Sequence, residues 1–139
     1  MLIVVDSNII ISALIKNSIT RSIILSSNHK FLLPEYSLAE IKNHERDILY
    51  KSRLPRGEFI FLMKKLFKYI KIIKTEEIIK YKEKANKIMK KIDANDSLFI
   101  ACALAYPKSI IWSDDKHFKM QKTVKAYNTK ELIEIILSE

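Results

Sequence analysis

Hydrophobic residues in this chain fall into short unbroken runs that alternate with longer stretches of helical period. Leu2-Ile3-Val4-Val5 is continuous, too short for a helix, and stops at Asp6. It reads as a strand buried on both faces, the kind found in parallel sheets. Ser7 or Asn8 can cap a helix running through Ile15, and a second short helix is expected from Ile19 to Ser26. Lys30-Phe31-Leu32-Leu33 reads as the next strand, ended by Pro34, a residue also tolerated at a helix start. The stretch from Glu35 to Lys51 has the period of one helix, with Leu38, Ile41, Ile48 and Leu49 on its inner face, and Pro55 then breaks the chain.

Gly57 to Tyr69 repeats the helical pattern through Phe59, Leu62, Met63, Leu66 and Phe67, and Ile70 to Ile73 makes a short strand. Thr75 is placed to cap a helix reaching about Lys91, with Glu76-Glu77 at its positive end. Ala94 to Tyr106 is an apolar helix closed by Pro107, followed by strands over Ser109 to Trp112 and Thr123 to Tyr127. Asn128 and Glu131 have capping-box spacing and open a terminal helix to Leu137. The alternation predicts an α/β fold, one domain over residues 1–139, with a central, mostly parallel sheet flanked by helices on both faces. Residues 55–91 would form a largely helical arm or clip.

Composition narrows this picture. With 139 residues, 48% of them hydrophobic, the chain is one domain with ample material for a core. One glycine and three prolines leave no P-loop and no dinucleotide fingerprint. The 25 Lys and Arg against 16 Asp and Glu give a formal charge of +9, which favours nucleic acid or an anionic membrane surface as partner. An Ile- and Lys-rich bias can equally reflect genome composition. No apolar run reaches the ~18 residues of a membrane helix, and no positively charged leader precedes the first strand, so no membrane association is expected. Cys102 has no second cysteine to pair with, and a cytoplasmic location fits best.

Against this basic background, a few acids occupy informative positions. Asp6 directly follows the first strand, and Asp114-Asp115 follow the strand that ends at Trp112. If both strands are parallel, these acids share the carboxyl edge of the sheet, where such folds bind ligands. Asp93 and Asp96 can share one face at the start of a helix, and Glu40 lies one turn into the inner face of its own helix, beside Leu38 and Ile41. Carboxylates gathered there repel each other and lose hydration. A hard divalent cation relieves both, since Mg²⁺ or Mn²⁺ takes oxygen ligands. One or two such ions can activate water against a phosphodiester. Lys64-Lys65, Lys68, Lys71 and Lys90-Lys91 are candidates for a phosphate track, although each also reads as part of a solvated face.

Val5-Asp6-Ser7-Asn8, Pro34 followed by Ala39-Glu40, Asp93-Ala94-Asn95-Asp96 with Ile100-Ala101, and Trp112-Ser113-Asp114-Asp115-Lys116-His117-Phe118 resemble, in that order, the motifs of the PIN-domain family. The resemblance spans Leu2 to the terminal helix. It implies a Mg²⁺- or Mn²⁺-dependent ribonuclease fold, whose largest group is the toxins of VapBC toxin–antitoxin modules. It implies catalytic, metal-facing acids at Asp6, Glu40, Asp96 and Asp115. The family's pattern of Ser or Thr, any residue, then Asp selects Asp115 over Asp114. Asn8 and Ser113 would support the site, with Asp93 and Asp114 as neighbouring acids. The implied partners are an RNA substrate and an antitoxin protein; a homodimer is expected from the apolar residues, not from the resemblance. A dimer would use the apolar helix around Phe59 to Phe67, whose period does not separate core from interface.

Each acid also has a plain reading. Asp6 can cap a helix, Glu40 can be a solvated charge, Asp96 can favour a helix N-terminus, and Asp114-Asp115 can form a polar turn. Their joint occurrence is what favours one site. His117 is a candidate base or substrate contact, though a lone histidine in such a loop is more often structural or exposed. Two other functions stay open: a structure-specific DNA nuclease on the same fold, and a module that binds RNA or protein without cutting.

Overall fold

The computed structural model describes every residue except Ser27, Lys91, Ala94 and Asn95. Its strands are β1 (Leu2–Val5), β2 (Lys30–Pro34), β3 (Ile70–Ile73), β4 (Ile110–Trp112) and β5 (Ala126–Tyr127). They form one parallel sheet in the order β3-β2-β1-β4-β5. Helices α1 (Ser7–Ile15) and α2 (Ile19–Ser26) join β1 to β2, and α3 (Glu35–Asn43), α4 (Glu45–Ser52) and α5 (Arg56–Phe67) join β2 to β3. The return to β4 uses α6 (Thr75–Ile78), a 3₁₀ turn at Ile79–Tyr81, α7 (Lys82–Met89) and α8 (Ser97–Ala105); α9 (Thr129–Leu137) ends the chain. Crossovers between parallel strands are almost always right-handed, so connections that first run one way across the sheet and then reverse put helices on both of its faces.

The apolar runs are the interior of that sandwich. Ile3, Val4 and Val5 of β1 and Ile111 and Trp112 of β4 are fully buried. Helix α8 is apolar nearly all round because it is enclosed, with Phe99 to Ala103 buried. Segment 55–91 contributes Phe59, Leu66, Ile73, Ile78, Ala85 and Met89 to the same buried cluster. Among the described residues, no single helix is long and apolar enough to cross a membrane.

Several element boundaries differ from the periodicity. The helix expected over 35–51 breaks at His44, whose φ of −102° and ψ of 13° turn the chain between α3 and α4. The helix expected from Thr75 is three pieces, and Thr75 is not its cap. Its N–H donates instead to Glu35 Oε1 of α3 at 3.0 Å, while the Lys74 N–H donates to Glu77 at 3.1 Å. The start expected at Ala94, and Lys91 of the lysine track, lie outside the described residues. The described α8 opens at Ser97. The strand expected over 123–127 is only its last two residues, because Gln121 holds the preceding loop. Its side chain donates to the carbonyls of Phe118 and Val124 and accepts from the N–H groups of Thr123 and Val124.

The topology reverses at β1, which lies between β2 and β4. Val5 pairs with Trp112, and the Asp6 N–H donates to the Trp112 carbonyl at 3.0 Å. The carboxyl ends of β1 and β4 therefore form the crevice where open α/β sheets bind ligands.

Candidate metal centre

Asp6 leaves β1 at that crevice and is only 6% exposed. It caps α1, its Oδ1 accepting from the Asn8 main-chain N–H at 3.3 Å. The cap is thus Asp6 itself, not Ser7 or Asn8. Asn8 supports it through the backbone, and its own side chain is exposed. From β4, the Ser113 hydroxyl donates to Asp6 Oδ2 at 2.6 Å and accepts from the Asp115 N–H at 3.0 Å. One buried hydroxyl thereby locks the ends of two strands together and aims both acids.

Asp115 caps a 3₁₀ turn, Lys116–Met120, by accepting from the His117 N–H at 2.9 Å. Phe118 pins this turn against α8: its ring meets Phe99 edge-on, with centroids 6.0 Å apart. That contact brings His117 to the residues just ahead of α8. His117 Nδ1 lies 3.3 Å from Asp93 Oδ2, 3.6 Å from Asp96 Oδ2 and 3.4 Å from Asp115 Oδ1. Asp93 and Asp96 meet just ahead of α8, the Asp96 N–H donating to the Asp93 carbonyl at 3.2 Å, and do not share a face within it.

The remaining predicted residues are placed differently. Glu40 is exposed on α3, not on its inner face, where Ser37 and Ile41 are buried. It stands outside the set of charges that shift Asp6 and Asp96. Asp114 turns away, accepting from the Thr129 N–H at 2.7 Å and its hydroxyl at 2.9 Å at the start of α9. His117, which the sequence leaves as a loop histidine, is central. Its only sequence signal is its place two residues beyond Asp115.

The electrostatics are only partly relieved, by Ser113 and Asn8 at Asp6 and by His117 at Asp96. Burial raises the Asp6 pKa above its usual 3.8, opposed by its bonds to Ser113 and Asn8 and reinforced by Asp115 and Asp114. Asp96 is pushed up to about 6, by burial first and then by Asp93, Asp115 and Asp6. Asp96 Oδ2 and His117 Nδ1 are buried atoms with no hydrogen-bond partner among the described residues. Clustered oxygen donors, an orphaned carboxylate oxygen and mutual repulsion fit a divalent cation. Asp93, Asp96 and His117 each offer a ligand atom, all within 4.8 Å of one another.

The family model for the PIN domain matches residues 4–136. The chain belongs to the PIN-domain family. PIN domains are in general nucleases, and they use divalent metals. No curated protein matches this PIN domain in sequence. Among solved structures, its fold is similar to a chain in the crystal structure of VapBC2 from Rickettsia felis bound to a DNA fragment from their promoter. The TM-score is 0.67 at 18% identity, over 92% of this PIN domain and 98% of that chain.

Proposed function

We propose that this PIN domain is a metal-dependent endoribonuclease that cleaves RNA phosphodiester bonds with metal-activated water, and that it is the toxin of a toxin–antitoxin pair acting in the cytoplasm. The observation that carries the nuclease reading is the convergence of Asp6, Asp96 and Asp115, with Asp93 beside them, in a crevice where burial and mutual repulsion raise the Asp6 and Asp96 pKa values. Bound Mg²⁺ or Mn²⁺ would lower the pKa of a coordinated water and stabilise the departing oxygen. Asp6, Asp96 and Asp115 hold the ion, and Ser113 fixes the first and last of these relative to each other. Glu40, exposed on α3, would act on the ion only through water. A net charge of +9 draws the anionic chain to an acidic cluster that would otherwise repel it.

The toxin reading is supported by the fold shared with a chain of VapBC2. It brings with it an antitoxin partner that covers the crevice, and a homodimer.

The test is a cleavage assay on RNA pools and matched DNA with Mg²⁺, Mn²⁺ or EDTA. Cleavage of RNA that needs metal and is lost in Asp96→Asn is the expected result. Preference for DNA would favour the structure-specific DNA nuclease. RNA binding that is indifferent to chelator, without any cutting, would favour a binding module. Full cleavage by pure Asp96→Asn protein would overturn the site.

A further inference from the structure

We propose that His117 Nδ1 is a direct ligand of the bound cation, and that this nitrogen makes the centre select a first-row transition ion such as Mn²⁺ over Mg²⁺. The inference rests on the reading of the cluster as a metal centre, but on none of its chemistry. The four-acid pattern supplies only oxygen. Here the 116–120 turn, pinned by Phe118 on Phe99, delivers an imidazole nitrogen into the same space.

The placement of that nitrogen is specific. The His117 side chain is 43% exposed, yet Nδ1 is buried and has no hydrogen-bond partner among the described residues. The exposure therefore belongs to the rest of the ring, and Nδ1 faces inward. It is 3.3–3.6 Å from oxygens of Asp93, Asp96 and Asp115, at ion-pair distance from each when the ring is protonated, but makes no hydrogen bond to them. Neighbouring ligands in an octahedral shell of about 2.1 Å radius are about 3.0 Å apart. The observed spacing needs only a small contraction around an ion. The Nε2–H tautomer leaves the Nδ1 lone pair free to donate.

Chemistry then sets the preference. Mg²⁺ favours oxygen and gives up its waters reluctantly. An imidazole nitrogen is a borderline donor that binds transition ions better, and the oxygen ligands suit Mn²⁺ as well as Mg²⁺. The structural role of residue 117 is independent of its side chain, because the bond to Asp115 Oδ1 comes from its main-chain N–H. Replacement of the ring therefore leaves the turn's cap in place.

The test uses the full chain and reads metal binding, not cleavage. Calorimetric titration with MnCl₂ and MgCl₂ is made on wild type, His117→Ala and His117→Gln, with circular dichroism to confirm folding. Pulsed electron paramagnetic resonance of the bound Mn²⁺ detects a directly bonded ¹⁴N. Wild type is expected to show that nitrogen coupling and to bind Mn²⁺ at least about tenfold more tightly than Mg²⁺. Both variants should lose the coupling and at least about tenfold in Mn²⁺ affinity, since even outer-shell partners of a metal contribute that much. Their Mg²⁺ affinity should change little. Absence of the coupling in wild type overturns the proposal without any variant. So does a rise in Mn²⁺ affinity in His117→Ala, the signature of an imidazolium that competes with the ion. Failure to bind Mn²⁺ at all also overturns it. Retained coupling in a protein that cuts no RNA would count against the nuclease reading alone.

Discussion

Asp114 and Asp115 are neighbours in sequence and belong to two opposite environments. On one side, Asp114 closes a polar clasp. It accepts twice from Thr129, whose hydroxyl oxygen also accepts from Trp112 Nε1 at 3.0 Å. Asn128 and Glu131 complete a capping box beside it, and Lys119 pairs with Glu131. The Lys119 bond holds the Glu131 pKa below its usual value. On the other side, Asp115 joins Asp93 and Asp96 around an inward-facing histidine nitrogen, and burial, with the charges of Asp93, Asp115 and Asp6, lifts the Asp96 pKa to about 6. The same functional group is stabilised in the clasp and frustrated in the crevice. Satisfied acids hold this fold together. Acids crowded by like charge, with Asp96 Oδ2 left without a hydrogen-bond partner among the described residues, mark where something else must bind.

Substitutions that move an acid between these two roles sharpen the contrast. The largest effect is expected for Asp96→Asn: cleavage and metal affinity should fall at least about 100-fold, while the chelated protein should melt no lower than wild type, because a repelling charge is gone. A lower melting temperature in EDTA would show that Asp96 stabilises the fold like Asp114.

Acidity gives the next contrast. In the chelated protein, folded Asp96 keeps its proton up to about pH 6, whereas the unfolded chain releases it near 3.8. The folded state binds more protons between those values, so stability falls as pH rises from about 4 to 6 and then levels. Bound Mg²⁺ or Mn²⁺ replaces the proton and should abolish or reverse that fall. Thermal melts across pH with EDTA or metal check it, and a curve unaffected by metal would break the account of the crevice.

In the clasp, Thr129→Val should cost about 2 kcal/mol by leaving the buried Trp112 N–H unpaired, with metal affinity unchanged. Asp114→Ala should cost about 1 kcal/mol as a lost acceptor for the Thr129 N–H and hydroxyl, a melting shift of about 4 °C, again without effect on metal titration. A Mn²⁺ affinity that dropped with Asp114→Ala would place Asp114 in the crevice after all.

Much of this was legible in the residues. Runs such as Leu2 to Val5 and Ile110 to Trp112 declare strands enclosed on both faces, since only a double-sided sheet can bury every side chain in a row. Asn128 with Glu131 declares a helix start that the structure contains at that residue. Asp6, at a strand end, sits at the sheet's carboxyl edge because a residue that ends a parallel strand has nowhere else to go. Less local properties were not legible. The break at His44 carries no proline or glycine and depends on how α4 meets α1. The exposure of Glu40 follows from which face of α3 meets the core.

Sequence by itself determined the α/β alternation, the parallel sheet and the edge at which the acids gather, because periodicity and strand-end position are properties of consecutive residues. Only the tertiary structure decided which acids are satisfied. Thr129 claims Asp114 from 15 residues away, Ser113 reaches Asp6 across 107, and the packing of Phe118 on Phe99 turns His117 inward. Hydrogen bonds and burial between distant segments set the energy of a carboxylate, and no local pattern encodes them.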